Sequence, residues 1–211
     1  MVVRPWVSIA MVSVAALILL SSGAWASASR VSVPQREARH QCGLVPRGFT
    51  CSSATRVRFA YPSSWHAARY LVFSSFDRSL IYLSTAAPHD PCVATQEGSG
   101  TKVSCGWQVS KLEPEEVAAR WLAGDRPGWN LGSVPGRPMR IGGRPARFSI
   151  ATTGPLYDAC HDIGGDEVLA AWIDRRARGF YAFIACVRGP AMPRRESEIR
   201  LLLKSVRFPY A

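Results

Sequence analysis

The sequence lacks the short motifs that mark several common enzyme classes and metal sites. Gly-x-Ser-x-Gly, His-Glu-x-x-His and Cys-x-x-Cys are all absent. Gly98-Ser99-Gly100-Thr101-Lys102 departs from the residue order of a phosphate-binding loop and leads into a strand pattern rather than a helix. The single asparagine, Asn130, has no glycosylation context. We therefore expect no catalytic set, no cofactor and no metal.

Long apolar runs are also absent, apart from one at the amino terminus. Arg4 precedes an apolar run at residues 7–20, and mostly small residues follow at 21–28. A helix of this length rises about 21 Å, short of the roughly 30 Å core of a bilayer. The pattern is typical of a secretory signal peptide. We predict a signal at residues 1–28 and no transmembrane span after its cleavage, with an uncleaved anchor as the alternative.

No cysteine precedes residue 42, which excludes a lipid-modified cysteine at the cleavage point. All six cysteines follow the predicted signal, and an even number in an exported chain predicts three disulfides and a secreted or extracytoplasmic location. Short spacings and bracketed loops favour one pairing among several. The favoured pairs are Cys42–Cys51, Cys92–Cys105 and Cys160–Cys186.

Lysine is scarce, and nearly all of the net charge of +11 comes from arginine. Removal of Arg4 with the signal takes one unit from +11 and leaves +10. Outside a cell this charge favours contact with anionic surfaces. As partner we expect an anionic cell-wall polymer, lipid head groups or a protein, rather than nucleic acid. The alternative is a basic surface that only reflects a GC-rich genome with a preference for arginine codons.

Two apolar runs, residues 168–173 and 180–187, predict a central hairpin. A polar loop separates them and ends in Gly179, which can adopt the positive φ that closes a turn. Neither run alternates between apolar and polar residues, so both faces of these strands should be covered by other parts of the chain.

Shorter patterns predict further strands and two helices. Pro114 suits the first position of a helix and Gly124 suits its end. The apolar residues between them would share one helical face, so we predict a helix there. A second helix follows Pro193, with apolar residues at helical spacing up to Val206. Strands are predicted at residues 56–61, 70–76, 80–85, 103–109, 140–151 (a hairpin) and 206–208, and loops or turns at 77–79, 88–100 and 154–164.

Three local sequences and the order of the predicted elements carry a family resemblance. The sequences are Phe59-Ala60-Tyr61-Pro62-Ser63-Ser64-Trp65, Ile141-Gly142-Gly143-Arg144-Pro145-Ala146 and Leu201-Leu202-Leu203-Lys204-Ser205-Val206-Arg207-Phe208. They resemble the Mog1/PsbP-like group, in particular its small exported members in actinobacteria. The resemblance covers roughly residues 55–208. This chain departs from the group by its predicted disulfides and by lacking the lipid-attachment cysteine that some exported members carry.

The resemblance implies an α+β fold and a binding or accessory role without a fixed active site. The implied architecture is a mainly antiparallel sheet covered by helices, an α/β/α sandwich. We divide the chain into a signal at 1–28, a mobile leader with the first disulfide loop at 29–54, and a single α+β domain at 55–211.

Arginines in predicted turns are the candidate binding residues, because forked guanidinium groups suit phosphate or carboxylate. The alternative is a set of separate, solvated turns. Trp129, alone in a Gly- and Pro-rich connection, is a candidate for an exposed aromatic contact. The candidate arginines are Arg137, Arg140, Arg144 and Arg147 around the Gly142-Gly143 turn, Arg175, Arg176 and Arg178 at the tip of the central hairpin, and Arg194 and Arg195 at the start of the last helix.

The leading functional hypothesis is an exported, non-enzymatic domain that binds an anionic envelope component or a partner protein through these arginines. Two alternatives stay open. One is a small secreted hydrolase whose acid–base residues come from His66, His161, Asp162 and Asp166; it requires at least two of them within hydrogen-bond reach. The other is a disulfide-stabilised structural or inhibitory domain.

Overall fold

The computed structural model describes residues 42, 45–70, 72–73, 76–97, 100–175 and 179–209. The predicted signal peptide, the predicted leader up to residue 41, and Arg176 and Arg178 lie outside these described residues. The strands are β1 (Phe49–Ala54), β2 (Val57–Pro62), β3 (His66–Ala68), β4 (Asp77–Ser84), β5 (Cys92–Glu97), β6 (Gly100–Cys105), β7 (Val117–Asp125), β8 (Arg137–Ile141), β9 (Arg144–Ala151), β10 (Glu167–Asp174) and β11 (Gly179–Val187), and the helices are α1 (Pro155–His161) and α2 (Met192–Ser205).

Seven of the strands form one sheet in the order β3-β4-β7-β11-β10-β9-β8, and every neighbouring pair is antiparallel. The predicted central hairpin is confirmed, with Val168 opposite Cys186 and Ile173 opposite Tyr181. Its second strand, β11, is the middle strand of the sheet, and all nine of its residues are buried. Two separate ribbons, β1–β2 and β5–β6, complete the strands.

One face of the sheet, which we call the first face, carries the odd-numbered residues of β7, β10 and β11. The middle of this face is Trp121, whose ring lies 5.6 Å from Phe59 and 5.1 Å from Phe183 between ring centroids. Helix α2 and the β1–β2 ribbon cover it, with Ile199 and Leu202 among the fully buried residues. This face therefore holds the larger of two apolar cores.

The second face carries the even-numbered residues of the same strands, such as Leu122 and Ile184. Helix α1 and the chain segment 107–112 cover it, and Trp107 and Leu112 supply much of the apolar cover. The Cys160–Cys186 disulfide ties α1 directly to β11. As expected from the unbroken apolar runs, both faces of the central strands are buried.

The predicted α/β/α sandwich is wrong. The helix predicted between Pro114 and Gly124 is strand β7, which pairs with β4 on one side and β11 on the other. A strand that is buried on both faces has apolar residues at nearly every position, and such a short run fits helical spacing equally well. The described residues form a mostly antiparallel β fold with two helices.

Several smaller boundaries also differ from the prediction. The predicted turn at 77–79 is the start of β4, and the predicted loops at 88–100 and 154–164 contain β5 and α1. The predicted strand at 103–109 ends at Cys105, and the predicted terminal strand is a single bridge between Arg207 and Arg58. Nearly all residues of β5 and β6 are exposed, so no buried apolar pattern marks them. The predicted hairpin at 140–151 and the last helix are confirmed.

All three predicted disulfides are confirmed: Cys42–Cys51, Cys92–Cys105 and Cys160–Cys186. Cys92 and Cys105 lie directly opposite each other and close the base of the β5–β6 ribbon. Such bonds are typical of proteins in oxidising compartments, including the cell exterior. In the described part of the chain, no helix combines the length and apolar content that a membrane crossing needs.

Candidate functional site

The antiparallel sheet brings several turns to one end of the molecule. Ala146 lies opposite Ile173, and Gly124 lies opposite both Phe180 and Asp77. The β8–β9 turn, the end of β10 with Arg175, the start of β11, the end of β7 and the start of β4 therefore share an end of the sheet. Five arginines lie there, and we call this the arginine end: Arg78, Arg126, Arg140, Arg144 and Arg175.

The other end, where β4 and β11 finish and α2 begins, we call the opposite end. Arg194 and Arg195 lie there, in the first turn of α2, and both pair with Glu198 at 3.3 and 2.8 Å. The Nε of Arg195 also donates to the Glu115 carbonyl at 2.8 Å. The sheet thus places Arg194 and Arg195 at the other end from Arg140, Arg144 and Arg175.

Two guanidinium groups of the arginine end rest on aromatic rings. Arg144 lies 4.8 Å above the Phe208 ring and Arg175 lies 5.6 Å above the Tyr181 ring. Those two rings stack on each other with centroids 5.1 Å apart. Cation–π contacts of this kind hold a guanidinium in place without neutralising its charge. The Nε of Arg144 is buried and makes no hydrogen bond within the described residues.

The β8–β9 turn needs glycine for two reasons. Gly142 and Gly143 both have positive φ, 56° and 81°, which is typical of a two-residue hairpin turn. A Cβ on Gly142 would also lie 2.7 Å from the Phe208 ring. The turn therefore lies directly on Phe208, and Arg140 donates to the Gly143 carbonyl across it.

Two adjoining cavities open on the first face at the arginine end. One has a volume of about 440 Å³ and includes Asp125 and Arg175 in its lining. The other has about 210 Å³ and includes Arg69 and the β1–β2 turn residue Thr55. Both cavities share Phe73 and Arg78. The two cavities therefore adjoin at these residues, and basic and aromatic side chains line both.

The charges at this end are only partly balanced. Arg175 pairs with Asp125 at 3.3 Å. The Arg126 guanidinium lies 5.6 Å above the Phe76 ring. Within the described residues, the side chains of Arg78 and Arg126 make no hydrogen bond or ion pair. These two guanidinium groups are therefore available to an anionic ligand.

The remaining sequence candidates lie elsewhere. Arg147 donates to the Gly136 carbonyl at 3.0 Å, and Arg137 lines a separate cavity of about 690 Å³ between β8–β9 and α2. Trp129 is half-buried and stacks on Phe180, with ring centroids 5.4 Å apart. Arg176 and Arg178 lie outside the described residues.

The sequence interpretation missed Phe73, Phe76, Arg78 and Arg126. The predicted strand at 70–76 and the predicted turn at 77–79 separate the phenylalanines from Arg78, and Arg126 lies in the Gly- and Pro-rich connection that contains Trp129. A signal was present, because two phenylalanines beside polar residues do not fit a buried strand. Only the sheet order shows that these residues lie near Arg175.

The four residues of the hydrolase alternative are not brought together. No hydrogen bond joins any two of His66, His161, Asp162 and Asp166 within the described part of the chain. His161 faces the Tyr157 hydroxyl at 3.5 Å, and the Asp166 carboxylate accepts from the Gly189 N–H at 2.8 Å. Among the described residues, no three His, Cys, Asp or Glu side chains are grouped so that they could hold a metal ion.

Two groups outside the arginine end have shifted pKa values. Burial raises the pKa of the Glu167 carboxyl, and the neighbouring Glu196 and Asp166 carboxylates raise it further. Burial alone raises the pKa of the Tyr61 phenol. Glu167 begins β10, at the opposite end of the sheet, so this acidic environment is separate from the arginine end.

The chain matches no protein-family model, and comparison with curated proteins and with solved structures gives no match either. The resemblance to the Mog1/PsbP-like group therefore stays a prediction.

Proposed function

We propose that this protein is an exported, non-enzymatic binding domain that holds an anionic component of the cell envelope at the arginine end. The observation that carries the proposal is the sheet order, which gathers five arginines from four separate chain segments at one end. Three disulfides and the net charge of +11 agree with a basic protein in an oxidising compartment.

The arrangement suits recognition of phosphate or carboxylate groups. Arg144 and Arg175 are held over aromatic rings, so less side-chain freedom is lost when they bind. Arg78 and Arg126 supply donors that the described residues do not use. A guanidinium can offer two parallel donors to one phosphate or carboxylate, which favours such ligands over chloride or water.

Retention on isolated cell envelopes tests the proposal. We expect the exported protein to bind at low ionic strength and to be released as salt rises above about 0.1 M, because exposed charges are then screened. The double variant Arg78→Gln/Arg126→Gln should bind at least about tenfold more weakly.

The control is the same type of substitution, arginine to glutamine, at the opposite end of the sheet. Arg194→Gln removes one exposed charge from the opposite end and should leave retention nearly unchanged. Retention that is insensitive to salt, or that falls equally in both variants, would contradict the proposal. Protease treatment of the envelopes before the assay distinguishes a protein partner from a polymer or lipid.

A further inference from the structure

Two large apolar side chains are exposed at the arginine end. Phe73 is 66% exposed and Phe76 is 47% exposed, although most other aromatic residues of the described chain are buried or half-buried. Both line the cavity of about 440 Å³ that also contains Arg78 and Arg175. An anionic ligand would engage the arginines of this end and leave the two exposed phenylalanines without a role.

The backbone holds these phenylalanines at the sheet rather than away from it. Phe73 and Arg78 form an antiparallel bridge, and the Ser79 N–H donates to the Val72 carbonyl at 2.9 Å. The Asp125 N–H donates to the Phe76 carbonyl at 2.9 Å. Val72 is therefore hydrogen-bonded near the start of β4, and Phe76 is hydrogen-bonded to the end of β7.

The backbone of Phe76 lies in close contact with β7. At Gly124, an added Cβ would lie only 2.8 Å from the Phe76 carbonyl oxygen, so glycine allows the two segments to touch. The guanidinium of Arg126, two residues after Gly124, then lies above the Phe76 ring. The Phe76 ring and the Arg126 guanidinium therefore lie together at the surface of the arginine end.

A purely soluble polyanion would use the arginines and gain little from the phenylalanines. The surface of an anionic bilayer uses both. Aromatic and apolar side chains are favoured at the level of the head groups, and basic side chains near the surface are attracted to the lipid phosphates. The combination of charge and exposed aromatic area at one end therefore matches a lipid surface.

We propose that the arginine end docks on a bilayer that contains anionic phospholipid. Phe73 and Phe76 enter the head-group layer, and Arg78 and Arg126 contact lipid phosphates. This inference rests on the proposed function and narrows its anionic component to one class.

Vesicle co-sedimentation tests the inference. The exported protein should bind vesicles of phosphatidylcholine with phosphatidylglycerol at least about tenfold more tightly than vesicles of phosphatidylcholine alone. Phe73→Ser/Phe76→Ser should weaken binding to the anionic vesicles by about tenfold while the dependence on salt persists. Arg78→Gln/Arg126→Gln should weaken binding and also flatten the salt dependence.

A matched control exists on the β5–β6 ribbon. Val93 and Val103 are 61% and 60% exposed. Their ribbon lies in the connection from the last residue of β4 to the first residue of β7, and both of these residues are at the opposite end of the sheet. Val93→Ser/Val103→Ser removes exposed apolar area from the other part of the molecule and should leave vesicle binding unchanged. A second readout is the surface pressure of a phosphatidylglycerol monolayer, which wild-type protein should raise and the phenylalanine variant should not.

The outcomes separate this inference from the proposed function. If the phenylalanine variant binds anionic vesicles and raises monolayer pressure as wild type does, insertion is overturned. If the protein does not bind vesicles but its retention on envelopes still depends on Arg78 and Arg126, the inference that the ligand is a phospholipid is wrong and the proposed function stands. If protease treatment of the envelopes abolishes retention and vesicles do not bind, the partner is a protein and the lipid inference fails.

Discussion

Arg195 and Arg78 show how differently the two ends of the sheet use arginine. The Arg195 side chain is 11% exposed, and its guanidinium donates to the Glu198 carboxylate and to the Glu115 carbonyl. Arg78 is exposed, and its guanidinium donates no hydrogen bond within the described residues. One arginine completes the packing of the chain, whereas the other is open to a ligand. Residue type and local sequence do not distinguish these two roles. The roles differ because the fold gives Arg195 hydrogen-bond acceptors and gives the Arg78 side chain none within the described residues.

Removal of Arg195 is the change with the largest expected effect on stability. Arg195→Gln should lower the free energy of unfolding by about 2 kcal/mol, because it removes charged hydrogen bonds from a nearly buried position. Arg194→Gln is the matched control on the same helix and the same carboxylate. Its side chain is 68% exposed, so the loss should stay below about 0.5 kcal/mol.

Urea denaturation under non-reducing conditions measures both values. Envelope retention should change little in either variant, because neither residue lies at the arginine end. Equal stability of the two variants would show that the opposite end does not depend on Arg195, and the contrast between the two ends would then be lost.

Removal of the Asp125 charge should strengthen binding at the arginine end, whereas removal of arginines there should weaken it. Asp125 pairs with Arg175 at 3.3 Å and its side chain is 69% exposed. Asp125→Asn should free Arg175 and strengthen retention on anionic envelopes by roughly fivefold, the effect of about one unit of charge near an anionic surface. Stability should change by less than about 0.5 kcal/mol, since the carboxylate of the pair is largely exposed to solvent.

Glu97→Gln is the control for Asp125→Asn. Glu97 belongs to an exposed pair with Lys102 at 3.2 Å on the β5–β6 ribbon. The substitution changes net charge by the same amount but should leave retention nearly unchanged. If both variants gain equally, total charge rather than the arginine end governs binding.

The central elements could be predicted because their signals are local. The runs at 168–173 and 180–187 lie on either side of one turn, and the cysteine pairs enclose short segments, so spacing alone indicated both. The α/β/α sandwich failed at β7 because burial on two faces erases the period that distinguishes strand from helix. Because a helix is predicted in place of β7, the predicted sheet lacks the strand that lies between β4 and β11.

The candidate site was predictable only in part, for a related reason. Arg140, Arg144 and Arg175 lie in or beside tight turns, and the local sequence indicates each of them individually. Their proximity to Arg78 depends on strand order, which pairs β4 with β7 and β7 with β11 over long sequence separations. Ion pairing of Arg194 and Arg195 with Glu198 was readable at helical spacing, yet the burial of Arg195 depends on its tertiary contact with Glu115.

The smallest expected effect concerns pH at the opposite end. Because burial and two neighbouring carboxylates raise the pKa of Glu167 in the folded chain, the folded state holds this proton more tightly than the unfolded state. The ionised carboxylate therefore costs stability above its folded pKa, and the cost disappears as pH falls below the unfolded value. Glu196, one of the neighbours, also pairs with Arg200 at 2.6 Å.

Glu167→Gln should accordingly raise the free energy of unfolding at neutral pH, by less than about 0.5 kcal/mol because the group is only half-buried and water still screens its charge. The difference between variant and wild type should shrink toward zero as pH is lowered through the folded pKa of Glu167. Urea denaturation at a series of pH values measures it. A variant that is less stable than wild type at neutral pH would show that Glu167 makes a favourable contact there, and the opposite end would then be held by this acid as well as by Arg195.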